Sequence, residues 1–422
     1  MGPRVVVLVA LAACAGRTAP ARAPAPPQAA AVATAPPRCA DLEASAASST
    51  GDDALRLESV RFADLPGWRG DRHAEALPAL LASCETIKRL ADRAPLGVSA
   101  FGGRARDWRA ACAAARHVPP GDDAAARAFF EAEFRPYAAL GKGGPVGKLT
   151  GYHVQALRGS RTRHGRYQIP IFARPRDLVS VELSSFVPDG RGRRIWGRLD
   201  PATGALVPYP SRSELRRAPL DEKQVIVWVD DPVDAVFAEI QGSGKVALEE
   251  GGTLWIGFAG KNGLKFHGVG GILRRMGELR RGQGTMQGVR AWFAAHPERY
   301  HEIVDQNPAK VFFQVSTRAG AIGTQGVVLT PRRSMAVDRA VIALSTPVWV
   351  ETRVRLPGAR RTAPWRQLLV AQDTGGAILG PVRGDIYWGD DEEAAEIAGR
   401  TGGPGRVWLL LPRAMRIAKK KP

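Results

Sequence analysis

No stretch of this chain comes close to the roughly 20 consecutive apolar residues of a membrane-spanning helix, so its body is expected to be soluble. Cysteine is scarce, with four in 422 residues, and no histidine and asparagine are patterned around them, which sets thiol catalysis aside. The seven histidines show no metal-ligand spacing; His296 and His301 fall on different faces of a helix. There is no HExxH and no Walker loop, and the GVGG at 268–271 is not a dinucleotide fingerprint. Gly242-Ser243-Gly244 lacks the outer spacing of a nucleophile elbow. No internal repeat is present. Metal, nucleotide and serine-triad chemistry are set aside on these grounds, and no cofactor is expected.

Acidic residues are the minority charge: 41 Asp and Glu against 60 Lys and Arg leave a net charge of +19. Nucleic acid is the usual partner of such a balance, but the basic residues are scattered rather than interleaved with aromatics in a stripe. The start of the chain also speaks for export. Arg4 precedes nine apolar residues, 5–13, and then Cys14, which fits the h-region of a secretory signal. Leu11-Ala12-Ala13-Cys14 is similar to the lipobox of bacterial lipoproteins, which implies that Cys14 becomes a lipidated first residue. An ordinary signal peptide cut near Ala15 is the alternative. Residues 14–38 are Ala- and Pro-rich and read as a semi-extended tether. An exported basic protein meets anionic lipids and an anionic cell wall, so no nucleic-acid partner is expected.

Residues 39–124 read as a helical region. Leu77, Leu80, Leu81, Cys84 and Ile87 have helical spacing, as do Trp108, Cys112 and Ala115. Cys84 and Cys112 form either a bridge between two helices or a pair of buried thiols. A third helix is expected over 122–135, stopped by Pro136. Short β-rich runs then follow at 167–173, 178–186, 224–229 and 253–258, with a helical stretch over 270–296. Strands resume at 311–315, 335–342, 348–354, 367–372 and 407–411. This texture predicts a mainly β fold, a barrel or sandwich with a long insertion. Asp390, Asp391, Glu392 and Glu393 read as a solvated helix start, and 416–422 as a basic tail.

The segment 371–389, AQDTGGAILGPVRGDIYWG, sets Asp373 and Asp385 in a glycine-rich and almost uncharged frame. A carboxylate so poorly solvated keeps its proton to higher pH, as a general acid for a glycosidic oxygen requires. The same residues also fit a β-turn in which Asp373 caps Gly375 and Gly376 and Asp385 starts a strand.

Five pieces in order resemble the membrane-bound lytic murein transglycosylase A (MltA) family. They are Leu149-Thr150-Gly151-Tyr152-His153 with Gly159-Ser160-Arg161-Thr162 and Tyr167 to Ile171; Asp234-Ala235-Val236-Phe237 with Gln241-Gly242-Ser243-Gly244; and Ala259-Gly260-Lys261-Asn262-Gly263 with Gly268-Val269-Gly270. Arg333 to Asp338 and the aspartate segment with residues 405–412 complete the set. Where the family usually has a second Tyr and then Glu-Pro, this chain has His153, Val154 and Gln155. The resemblance implies a double-psi β-barrel built from 125–172 and 290–415, interrupted by a β-rich domain over 173–289, with a glycan groove between them. It implies that Asp385 is the catalytic residue and that Asp373 supports it. Tyr152, Gln241, Ser243, Lys261, Asn262, Gly375, Gly376 and Tyr387 would bind substrate. The implied reaction is lytic exotransglycosylation of peptidoglycan, with one aspartate acting as acid and then base; a peptidoglycan hydrolase and a non-catalytic wall binder are the alternatives. The implied state is a monomer, lipid-anchored in the periplasm. Ala15, not an acid, follows Cys14, which by family analogy points to the outer membrane.

Overall fold

The computed structural model describes residues 55–99, 101–187, 190, 194–280 and 282–416. Cys14, Cys39, the signal, the tether and the tail beyond 416 lie outside the described residues.

The chain enters the fold through β1 (Arg56–Ser59) and then three helices, Leu77–Lys88, Ala105–Ala115 and Asp123–Glu133. The first two bury the stripes read from sequence, and Cys84 and Cys112 are joined by a disulfide with Cα atoms 5.5 Å apart. The third helix starts on Asp122, whose carboxylate accepts from the Ala125 amide. It ends at Glu133 rather than at Pro136, because 134–140 is a strand, β2 (Phe134–Leu140). Pro136 disfavours helix in the residue before it, and its own carbonyl accepts from Val60 N in a sheet contact.

Next come β3 (Gly147–Tyr152), β4 (Gln155–Ser160), β5 (Ile169–Phe172), β6 (Val179–Glu182), β7 (Arg194–Leu199), β8 (Leu206–Val207) and β9 (Val225–Val229). The helix Pro232–Gln241 leads to β10 (Ser243–Leu248) and β11 (Thr253–Lys261). The stretch that reads as helical over 270–296 holds two helices, Val269–Arg275 and Met286–Ala295. Gly277 and Gly282 between them sit at φ 81° and 91°, a conformation that stops a helix. β12 (Val311–Val315), β13 (Ser334–Val337), β14 (Pro347–Val354), β15 (Ala363–Asp373) and β16 (Arg383–Tyr387) follow. The helix Glu392–Arg400 and β17 (Gly402–Pro412) complete the order.

Six of these strands close on themselves. β17, β14, β15, β13, β16 and β3 pair in that order, and β3 returns to pair with the first residues of β17. Alternation along the strands fills both sides of this ring. Val348, Val350, Leu369, Ala371, Val407 and Leu409 point into one core with Leu149 and Ile386. Their neighbours Trp349, Leu368, Val370, Trp408 and Leu410 point outward and pack against the three helices. Buried Arg333 clasps the segment before those helices, donating to Asp71 Oδ2 at 2.9 Å and to Glu75 Oε2 at 2.8 Å.

A second, six-stranded sheet runs β12-β11-β10-β4-β9-β5, and β6, β7 and β8 form a third. The second sheet buries Leu157, Ile171, Val227, Val246 and Phe313 against the helix Pro232–Gln241. β4 and β5 pair with β10 and β9, so 155–172 belongs with this sheet and not with the barrel. The expected insertion at 173–289 is thus too narrow, because β4 and β12 lie outside it. Only His153 and Val154 separate β3 of the barrel from β4 of the second sheet.

Candidate active site

The parallel pairing of β16 with β3 builds the site as a ladder. Arg383 stands opposite Lys148, Asp385 opposite Thr150 and Tyr387 opposite Tyr152. These six side chains share one face, since the intervening Leu149 and Ile386 fill the barrel core. A Cβ on Gly151 would lie 2.4 Å from the indole Nε1 of Trp388, so glycine alone fits between Thr150 and Tyr152. On the far side of β16 lies β13, whose Ala336 pairs with Asp385 on one side and Asp373 on the other. The two aspartates, twelve residues apart in sequence, therefore flank one small residue.

Asp385 is half-buried. Thr150 Oγ1 donates to its Oδ1 at 2.6 Å, while Oδ2 has no hydrogen-bond partner among the described residues. Burial pushes its carboxyl up to about 6; the Thr150 bond and the charge of Arg383 oppose that rise, and the charge of Asp373 adds to it. Arg383 Nη1 donates in turn to Thr150 Oγ1 at 2.9 Å and to the Gly384 carbonyl at 2.6 Å.

Asp373 has a full set of donors. Its Oδ1 accepts from Thr324 N, Thr324 Oγ1 and Thr374 N at 2.8–2.9 Å, and its Oδ2 accepts from the Tyr152 hydroxyl at 2.8 Å. Burial raises its pKa and these donors pull it back. The turn reading had Asp373 capping Gly375 and Gly376; the amides it holds are those of Thr324 and Thr374. Burial, with Asp373 beside it, holds the Tyr152 hydroxyl well above its ordinary range, so Tyr152 is a standing donor.

The other expected contacts divide. Lys261 ends β11 half-buried, and burial lowers its ammonium's pKa. Its Nζ lies 3.8 Å from where Gly376 would carry a Cβ, so it meets the Gly375-Gly376 loop across from the barrel. Asn262 is fully buried, with its amide on the carbonyls of Pro210 and Pro308 and its oxygen on Lys310 N. It has no group left for a sugar, and the expectation that it binds substrate is corrected. Gln241 accepts from His153 N at 3.0 Å and so pins the two-residue crossing. Ser243 opens β10 at 7% exposure. Tyr152 and Tyr387, their ring centroids 5.4 Å apart, are buried with Val154, Leu329, Ala336 and Ile378. Neither ring presents a face on which a sugar could stack.

Thr150, Arg383 and Thr324 are the site residues that the sequence reading left without a role. Alternation about Asp385 could have flagged Arg383; nothing local could have paired Thr150 with a residue 235 positions away. A cavity of about 600 Å³ opens nearby, lined by His153, Gln155, Lys245, Met286, Arg290 and Asp390 among others, and neither aspartate lines it. Burial lowers the His153 imidazole there to about 4, with Arg290 adding to the effect.

Comparison with known proteins converges on one family. Residues 148–314 match the MltA specific insert domain, and residues 333–411 match the 3D domain. The chain is 31% identical over 266 residues to membrane-bound lytic murein transglycosylase A of Escherichia coli, covering 62% of this chain and 65% of that protein. It thus spans just under two thirds of that relative's length. A structure of the same Escherichia coli protein has chitohexaose bound; it aligns with a TM-score of 0.62 at 25% identity, covering 85% of this chain and 94% of that one. A membrane-bound lytic murein transglycosylase from Agrobacterium tumefaciens superimposes with a TM-score of 0.74 at 28% identity, over 85% of this chain and 98% of that one. The lytic transglycosylase LtgG of Burkholderia pseudomallei is 37% identical, with a TM-score of 0.56, over 85% of this chain and 96% of its own. By sequence and by fold, this chain belongs to the MltA family.

Proposed function

We propose that this protein is a peptidoglycan lytic transglycosylase, cleaving the β-1,4 bond between N-acetylmuramic acid and N-acetylglucosamine with Asp385 as acid and then base. One observation carries the reading. Asp385 is held near pKa 6 with one oxygen engaged by Thr150 and the other free of described partners. A carboxyl in that state can both give and take a proton near neutral pH.

The steps balance without water. Protonated Asp385 donates from Oδ2 to the glycosidic oxygen as its bond to muramoyl C1 breaks, and N-acetylglucosamine leaves with a free 4-hydroxyl. The resulting carboxylate takes the proton of the muramoyl 6-hydroxyl while O6 closes on C1, giving a 1,6-anhydro ring and restoring the acid. A hydrolase would need a second carboxylate to activate water. Asp373 is a poor candidate, since four hydrogen bonds occupy its two oxygens.

The relatives' names supply the substrate class, and the chitohexaose bound to the Escherichia coli protein is itself a β-1,4-linked glycan. The proposal extends to location: a monomer tethered through a lipid on Cys14, facing the periplasm from the outer membrane. Mass spectrometry of products from purified peptidoglycan tests the chemistry. Muropeptides one water lighter than hydrolysis products, absent with Asp385→Asn, are expected; full-mass reducing ends would overturn it.

A further inference from the structure

We infer that Arg383 is a positioning residue that fixes the direction of the hydrogen-bond chain ending on Asp385, so that the acid's proton is carried on Oδ2. The inference rests on Asp385 being the acid, as proposed above.

Thr150 Oγ1 has one proton to give and lone pairs to receive. A protonated Asp385 has two ways to meet it. In one, Thr150 donates to Oδ1 and the acid proton sits on Oδ2. In the other, the acid proton sits on Oδ1 and is given to Thr150, where it is useless to a substrate. Distance alone does not choose between them, since both place oxygen atoms at the observed 2.6 Å.

Arg383 makes the choice. A guanidinium only donates, and its Nη1 lies 2.9 Å from Thr150 Oγ1. With a lone pair of Oγ1 taken by a cation, a second incoming proton is disfavoured, and the hydroxyl proton is repelled from the guanidinium towards Oδ1. The same Nη1 is fixed by the carbonyl of Gly384 at 2.6 Å and more weakly by that of Lys148 at 3.3 Å. The direction is therefore set by backbone on both strands of the ladder. Arg383 and Asp385 stand two apart on β16, and Thr150 stands opposite Asp385, so the three share one face by strand geometry alone. Reversing the chain would cost turnover without altering how the glycan is held.

A double-mutant cycle on the full-length protein tests this, with Arg383→Met, Thr150→Val and the pair assayed on purified peptidoglycan. Arg383→Met is expected to lower kcat about tenfold with KM little changed. It should also move the alkaline limb of the pH–rate profile upward by about one unit, because a cation that favours ionised Asp385 is gone. In the Thr150→Val background the same substitution should cost little further kcat, since the group it acts through is absent. Arg383→Lys, which keeps a donor and a charge, should recover part of the rate and covers the case in which the Met variant folds poorly. An equal loss in both backgrounds, or an unchanged kcat in both Arg383 variants, overturns the inference. Full activity of Asp385→Asn would instead sink the acid assignment beneath it, so the two failures are distinguishable.

Discussion

The end of β15 and the middle of β16 each present an aspartate beside Ala336, yet the two are opposites. Asp373 receives four hydrogen bonds, with none to spare. Asp385 receives one from a described residue and keeps an oxygen clear. Burial raises the pKa of both, so desolvation alone does not separate the proposed acid from its neighbour. The count of donors does. A saturated carboxylate is a fixed joint, whereas a carboxyl with one donor and one free oxygen can pass a proton on.

The contrast can be broken from either side. Asp385→Asn should reduce release of anhydro-muropeptides by about 10²–10⁴-fold, the usual worth of a general acid, as read by product mass spectrometry. Asp373→Ala should instead strike stability. It strands the Tyr152 hydroxyl and the amides of Thr324 and Thr374 without their acceptor, at a cost of about 3 kcal/mol in urea unfolding. In the protein that still folds, the alkaline limb of activity should fall in pH, because the charge that raises Asp385 is gone. A large activity loss with unchanged stability would exchange the roles assigned to the two residues.

Two smaller effects sharpen the comparison. The folded pKa of Asp385 lies above its unfolded value of about 4, so the fold takes up a proton there. Its contribution to stability is therefore full below pH 4 and is lost as pH rises through about 6. Asp385→Asn should accordingly stabilise the protein at pH 8, by about 2 kcal/mol, and much less at pH 4.5. Denaturant midpoints at the two pH values measure the difference, and equal shifts at both would show that the carboxyl is not desolvated. Tyr152→Phe removes one hydrogen bond from Asp373 and leaves the ring packing in place. It should cost about 1 kcal/mol in thermal unfolding, with product identity unchanged.

How much of this was legible beforehand depended on whether the signal was local. The stripes through Leu80, Cys84 and Ile87 and through Trp108 and Cys112 announce helices because they bury one face each. β14, β15 and β17 are apolar on both sides because the barrel core takes one side and the helices the other. β3, β4, β10 and β16 were harder, since their glycines and polar residues carry a site or a close strand contact rather than a core face. Pro136 signalled the end of a helix but not that its extended preference is used by a strand, Phe134–Leu140. Asp373 and Asp385 stood out through their uncharged frame, but their difference came from partners brought by the barrel. Asn262 looked free in sequence and proved to be tied to three backbone groups by the approach of residues 210, 308 and 310.

β17 pairs with β2 and β14 and also closes the ring onto β3. Until that strand docks, β3 lacks one of its two neighbours, and Thr150 must find Asp385 across 235 residues. Contacts of such span form late in folding, after the loop between them has closed. Before the barrel closes, Asp385 therefore stands in water, ionised and without a fixed partner. The acid proposed at Asp385 takes on its raised pKa only as the barrel closes, so its activation is a property of the topology.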